Sequence, residues 1–322
     1  MSVRLIPLAD PAAWQTALSG IAHGPAHTHW YNAALARTVE DEIALIEYSS
    51  DRDRALCPIL LRRYAQSVDI TVPYGFGGFA VHGECGELPD QLRDFAVGEG
   101  WVCGYLTVHL LASHPFATGD GLETGRTLYA IDLSLPEADR LAAMHPNHRY
   151  EIRRDRHLLS ALVTHAGAIA EALPALYAQT LARVGASDTY RFCDASLFAW
   201  LSSPGCVAFG LGDPLEAVIV CLHAEAIADY FIYASTEDGR RYSRVLLWAA
   251  ACELKCRGVR LFNLGGGVRA GDSLEDFKRR FGGRAVGMPV LKQVYCRDEF
   301  DTLCAGMEAA KRSNGYFPPY RQ

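Results

Sequence analysis

The run Phe277-Lys278-Arg279-Arg280-Phe281-Gly282-Gly283 is where residue type and spacing point most directly to chemistry in this 322-residue chain. A lysine is a compact point charge that can hold a phosphate or sit beside an oxygen that gains negative charge during a reaction. Lys278 has aromatic anchors at i−1 and i+3, Phe277 and Phe281, which can fix a short helix and therefore the direction of the ammonium group. Cations cluster in three places: Arg149, Arg153, Arg154 and Arg156; Arg240, Arg241 and Arg244; and Lys278, Arg279 and Arg280. Each cluster suits phosphate contacts and equally suits a solvated helix face.

Other chemistries lack their residues. No GxSxG elbow is present for a serine hydrolase. His27 with His29, Cys252 with Cys256, and His145 with His148 form no ligand set with the spacing of a zinc site, so no metal is expected. Gly265-Gly266-Gly267-Val268-Arg269-Ala270 satisfies GxGxxA after a strand, the form of a dinucleotide fingerprint. The context fails: no second βαβ half can follow, and the strand Met288–Tyr295 ends without an acidic ribose partner. Gly266 to Ser273 approximates a P-loop, but Asp272 stands where lysine is required. No cofactor is expected from either pattern.

Positioning Lys278 falls to the elements around it. From Tyr242, the apolar residues Val245, Trp248, Ala249 and Cys252 recur at i, i+3, i+4 and i+7, one face of a helix that stops at Gly258. Val259 to Leu264 reads as a short buried strand, and Gly265 to Gly267 as a sharp turn. Ser273 with Asp276 reads as a capping box for a helix carrying Lys278. Upstream, helices are expected near 147–158, 168–183 and 195–201, then a three-strand meander over 206–211, 215–223 and 227–234. The first half gives helices near 11–18, 28–37 and 88–97, with strands near 43–48, 56–64, 68–72, 105–111 and 127–133. Helices, an antiparallel meander and a crossover helix to a parallel strand give an α/β (α+β) class with mixed, mostly antiparallel sheets. The MHPNH segment interrupts periodic sequence and places a boundary near Ala143–Pro146, hence domains 1–143 and 144–322.

Composition bounds the setting. Half the residues are hydrophobic, yet no apolar run approaches the length of a membrane span. The start, MSVRLIPLADP, is broken by Pro7 and an acidic residue and does not read as a secretory signal. Ten cysteines, none in a CxxC, fit reduced thiols in a cytoplasm. A net charge of −6 argues against a general nucleic-acid coat, and DNA is not an expected partner.

The C-terminal segments resemble the FemABX family, the aminoacyl-tRNA-dependent peptidyltransferases built from tandem GNAT-like domains. The resemblance is carried by Tyr233 and Ala234, Leu246 to Trp248, Asn263 to Gly266, and the FKRRFGG run at Phe277–Gly283. HRYEIRRDRHL (His148 to Leu158) and LYAQTLARVGASDTYRF (Leu176 to Phe192) are similar to two further helices of the family; HTHWYNAALA and PYGFGGF (Pro73 to Phe79) match less specifically. The resemblance implies one GNAT-like domain in each half, with residues after about 297 folding back onto the first. It implies transfer of an aminoacyl group from aminoacyl-tRNA to an amine, on a cell-wall precursor, peptide or small metabolite, with no cofactor. It also implies Lys278 as the catalytic residue and Arg183, Tyr190, Tyr233, Phe281, Arg153, Arg154 and Tyr74 as substrate-binding residues, with no fixed general base.

Two alternatives belong beside this expectation. A GNAT enzyme using acyl-coenzyme A needs a glycine-containing pyrophosphate loop leading into the helix after the meander. That position reads RRYSRV, Arg240 to Val245, with no glycine after Gly239. A binding protein that kept the fold without activity is the other, since fold and function separate easily.

Overall fold

The computed structural model describes residues 2–110, 122–269, 271–305 and 316–322. The chain divides into two units: Met1–Ala22, Glu40–Arg126 and Gly287–Gln322 form the first, and His23–Val39 with Thr127–Val286 form the second.

In the first unit, β1 (Ser2–Pro7) pairs antiparallel with β2 (Glu42–Ser49), and α1 (Pro11–Leu18) lies between them in sequence. β2, β3 (Arg54–Tyr64) and β4 (Ser67–Thr71) form an antiparallel meander, with Glu42 opposite Leu61 and Leu60 opposite Thr71. β5 (Ala80–His82) adds to β3. Helix α3 (Leu88–Gly98) then crosses over to β6 (Trp101–Thr107), which runs parallel to β4. β12 (Arg284–Val294) follows β6 in the sheet, antiparallel, with Val290 opposite Thr107. β2 from Ile43 to Tyr48 and β3 from Ala55 to Leu60 are buried at consecutive rather than alternate positions, so these strands carry a core that includes Ile46, Tyr48, Cys57 and Ile59. The described tail belongs to this unit: α10 (Arg297–Ala305) is followed by Tyr320 and Arg321, whose hydroxyl and guanidinium both donate to Asp69.

The second unit repeats that order. Helices α2 (His29–Leu35), α6 (Ala166–Val184) and α7 (Asp194–Leu201) accompany a meander of β8 (Cys206–Leu211), β9 (Ala217–Ala224) and β10 (Ile227–Ser235). Helix α8 (Ser243–Cys256) crosses over to β11 (Leu261–Gly265), parallel to β10. β7 (Leu122–Asp132) completes the strands antiparallel to β11. The expected class, meander, crossover and parallel strand are all present, in the tandem mixed-sheet arrangement anticipated. One feature is not local in sequence: the strand beyond the parallel pair comes in each unit from the other half of the chain, β12 in the first and β7 in the second.

Several elements differ from expectation. The helix read over 147–158 is α5 (Pro146–Arg154) continued by a 3-10 segment, Asp155–Ala161. The short helix α4 (Glu137–Ala142) precedes it, and Met144 between them is buried in the core of the second unit. The strand read over 105–111 is β6, shifted towards the N-terminus, and Leu111 lies outside the described residues. Helix α8 is buried on more than one face, through Val245, Leu246, Leu247, Ala250 and Ala251, because a crossover helix is covered on both sides.

Candidate functional site

The turn between β11 and α9 (Ser273–Arg280) is braced at each end by side chains, and Lys278 closes over it. β11 bulges before its end: Asn263 faces Ala130 and Gly265 faces Tyr129, so Leu264 is the extra residue. Asn263 Oδ1 accepts from the Gly265 N–H at 2.8 Å. Gly265 has a φ of +72°, and a Cβ on Gly266 would lie 2.5 Å from the Thr127 carbonyl oxygen, so the backbone path excludes side chains here.

Asp272 holds the other end of the turn. Its carboxylate accepts from the N–H groups of Val268 at 2.7 Å and Arg269 at 2.9 Å, and caps α9 through the Glu275 N–H at 2.8 Å. The helix cap is therefore Asp272, one residue earlier than the Ser273 expected, because this carboxylate serves the turn and the helix together. Glu275 ties the segment further, accepting from Gly271 N–H and from the Tyr129 hydroxyl at 2.9 Å. The amides of Val268 and Arg269 already hold a carboxylate, which agrees with rejecting both phosphate-loop patterns; Ala270 of the GxGxxA pattern lies outside the described residues.

Lys278 is buried, at 6% exposure, rather than standing on a basic surface turn. Its Nζ donates to the Gly266 carbonyl oxygen at 2.6 Å and lies 5.9 Å from the centre of the Tyr230 ring. Burial lowers its pKa to about 8, with nearby Asp272 acting in the opposite sense. The flanking aromatics pack as core: Phe281 is wholly buried, and Phe277 and Phe281 both lie against the His148 ring, at 5.2 Å and 6.1 Å. Phe281 therefore positions α9 and offers no face to a substrate. His148 is kept neutral by this nest; burial first, then Arg244, His145 and Arg280, lower its pKa to about 4.

The remaining expected residues fall in three places. Arg183 and Tyr233 meet at the C-terminal end of β10. Arg183 Nη1 donates to the Ser235 carbonyl at 2.8 Å, and the Tyr233 hydroxyl donates to the Gly239 carbonyl at 2.8 Å. Tyr190 lies in the 3-10 turn Asp188–Tyr190 between α6 and α7, where its carbonyl accepts from the Tyr177 hydroxyl. Arg153 and Arg154 are exposed on α5, and Arg154 is paired with Asp155 at 2.7 Å. Tyr74 belongs to the first unit, half-buried in the stretch between β4 and β5.

Most cations of the three basic clusters are neutralised within the second unit. Arg156 pairs with Glu137, Arg240 with Glu237, Arg241 with Glu216 and Arg244 with Glu151. Asp276 takes both Arg279 and Arg280. Arg149 and Arg153 have no ion pair among the described residues, and both flank Tyr150, which is 65% exposed on α5.

Sequence reasoning named no buried acid, yet Asp229 on β10 is one. It is 5% exposed and accepts from Asn263 Nδ2 at 2.9 Å. Burial pushes its carboxyl up to about 7, against the lowering effect of that hydrogen bond. Aspartate at the third position of a mostly apolar strand was the available signal. Among the described residues no group of three or more His, Cys, Asp or Glu side chains is placed to hold a metal ion.

No protein-family model and no curated protein matches the chain. Solved structures do. FemX superposes with a TM-score of 0.69 at 10% identity, over 94% of this chain and 99% of FemX. L-PGS from Bacillus licheniformis gives 0.58 at 12% identity, over 89% and 92% of the two chains. The C-terminal domain of a putative lysylphosphatidylglycerol synthetase from Agrobacterium fabrum gives 0.56 at 17% identity, over 92% and 95%. At these identities the likeness is one of fold, and the fold expected from the FKRRFGG and NLGG segments is the one found.

Proposed function

We propose that the protein is an aminoacyltransferase that moves an aminoacyl group from aminoacyl-tRNA to an amine, forming an amide. The observation that carries the reading is the buried Lys278 ammonium group, held on the Gly266 carbonyl at the head of a braced turn. A fold shared with FemX supports it. In the reaction the acceptor nitrogen attacks the ester carbonyl carbon and a C–N bond forms. The C–O bond to the ribose then breaks; the amine loses a proton and the ribose oxygen gains one. Between those steps the carbonyl oxygen carries negative charge, which a fixed cation in a poorly solvated setting stabilises strongly. With a pKa of about 8, Lys278 is mostly protonated at neutral pH and still acidic enough to supply the proton to the leaving oxygen.

The donor's single-stranded end would meet the exposed face of α5, where Tyr150 offers a ring for stacking and Arg149, Arg153 and Arg154 offer charge for phosphates. Arg183 and Tyr233 at the end of β10 would contact the acceptor's phosphate or peptide groups, with Tyr190 as a further substrate contact. The acceptor class is a cell-wall precursor or an amine-bearing peptide or metabolite, in the cytoplasm, where charged tRNA is available. No helix among the described residues is long and apolar enough to cross a membrane. The test is product formation from amino acid, tRNA, synthetase and an amine panel, with and without RNase. Loss of product on RNase treatment supports the tRNA donor; undiminished transfer overturns it.

A further inference from the structure

Three hydrogen bonds run in series from the interior of the sheet to the Lys278 ammonium group. Asp229 on β10 and Asn263 on β11 are register partners in the parallel pair, and both are buried, at 5% and 0% exposure. Asn263 Nδ2 donates to Asp229 Oδ1 at 2.9 Å, and Asn263 Oδ1 accepts from the Gly265 N–H at 2.8 Å. One residue on, the Gly266 carbonyl oxygen accepts from Lys278 Nζ at 2.6 Å.

We propose that Asp229 and Asn263 are positioning residues for Lys278, fixing the bulged turn whose carbonyl oxygen holds the ammonium group. The inference rests on the reading that Lys278 acts in aminoacyl transfer. A side chain at 263 must donate towards β10 and accept from the turn, and an amide does both without adding a charge. The acceptor it needs is supplied by Asp229, at a sheet position where an apolar residue would be easier to bury. A buried carboxyl in that place makes physical sense as the partner that sets the Asn263 rotamer. The bond to Gly265 then fixes the bulge, and the bulge fixes where the Gly266 carbonyl points. Small displacements matter, because misplacing a catalytic group by about 1 Å costs on the order of 10²-fold in rate.

Exchange of the pair tests the inference with side chains of unchanged shape. Asn263→Asp replaces the amide donor with a carboxyl beside Asp229, so the pair repels unless it takes up a shared proton, and the fixed direction of the amide bond is lost. Its kcat for aminoacyl transfer should fall about 10- to 100-fold, with KM for charged tRNA unchanged. The double exchange Asp229→Asn with Asn263→Asp restores an amide donor facing a carboxylate that still accepts from Gly265, and should recover most of the loss. In a Lys278→Met background, Asn263→Asp should cost little more, because both changes act on one group. Failure of the exchange to recover activity, or losses that simply add to that of Lys278→Met, would overturn the positioning role. If Lys278→Met alone leaves turnover intact, the reading of Lys278 fails instead, and the two failures are told apart.

Discussion

Replacing Lys278 with methionine separates catalysis from folding more sharply than any other single change here. Burial lowers the lysine from an ordinary 10.5 to about 8. That shift corresponds to about 3 kcal/mol against the charged form. Methionine keeps the unbranched stem and removes that penalty. It also removes the donor to the Gly266 carbonyl, and an unpaired buried acceptor costs about 1–3 kcal/mol. The two effects oppose, so Lys278→Met should leave the folded state between unchanged and about 2 kcal/mol more stable. At about 2–4 °C per kcal/mol the melting temperature should hold or rise by several degrees. Over the same change kcat/KM for transfer from charged tRNA should drop by about 10²-fold or more, the scale of losing one oxyanion contact. Thermal melting beside a transfer assay decides it. Near wild-type turnover, or destabilisation beyond about 2 kcal/mol, would refute the reasoning and make Lys278 a structural residue.

Phe281→Ala, at a fully buried ring, should cost about 3 kcal/mol or more in urea denaturation. His148 is neutral in the fold and protonates below its ordinary 6.5 once unfolded, so stability should fall as pH drops from about 6.5 towards 4. Between pH 7 and pH 5 the loss should be about 2 kcal/mol, and His148→Phe should flatten that part of the profile. Acetyl-coenzyme A should give no saturable heat in calorimetric titration, because Gly239 is packed against the Glu216 carbonyl and no glycine follows it before α8. Charged-tRNA binding should weaken as salt rises, and Arg153→Ala should reduce the slope of log K against log salt by about 0.7–0.9.

Periodicity showed the elements that local sequence determines. Strand β8 and helix α1 have the bounds that patterning assigns them, and the meander, the crossover helix and the parallel strand follow in the order read. Edge elements were missed because their signal is weak: β1 is half-exposed and ends at Pro7, so it reads as an irregular start. The exchange of β7 and β12 between halves is a matter of long-range pairing and has no local signature. At the candidate site, the motif singled out Lys278 but gave no sign of its burial, since FKRRF looks like a solvated basic turn until Asp276 neutralises Arg279 and Arg280. Asp229 and Asn263 are 34 residues apart and meet only because β10 and β11 run parallel in register. The arginine clusters suggested broad phosphate contact, whereas carboxylates from other elements, Glu137, Glu151 and Glu216, occupy much of it.

Single-turnover transfer from purified, labelled aminoacyl-tRNA, with no ATP and no synthetase present, tests the proposed activity most directly. With a matching amine acceptor, label should leave the alkali-labile ester of the tRNA and appear in an alkali-stable amide, one per tRNA consumed, and Lys278→Met should slow that step. Label that stays on every charged tRNA, while acetyl-coenzyme A yields acylated amine, would contradict the account.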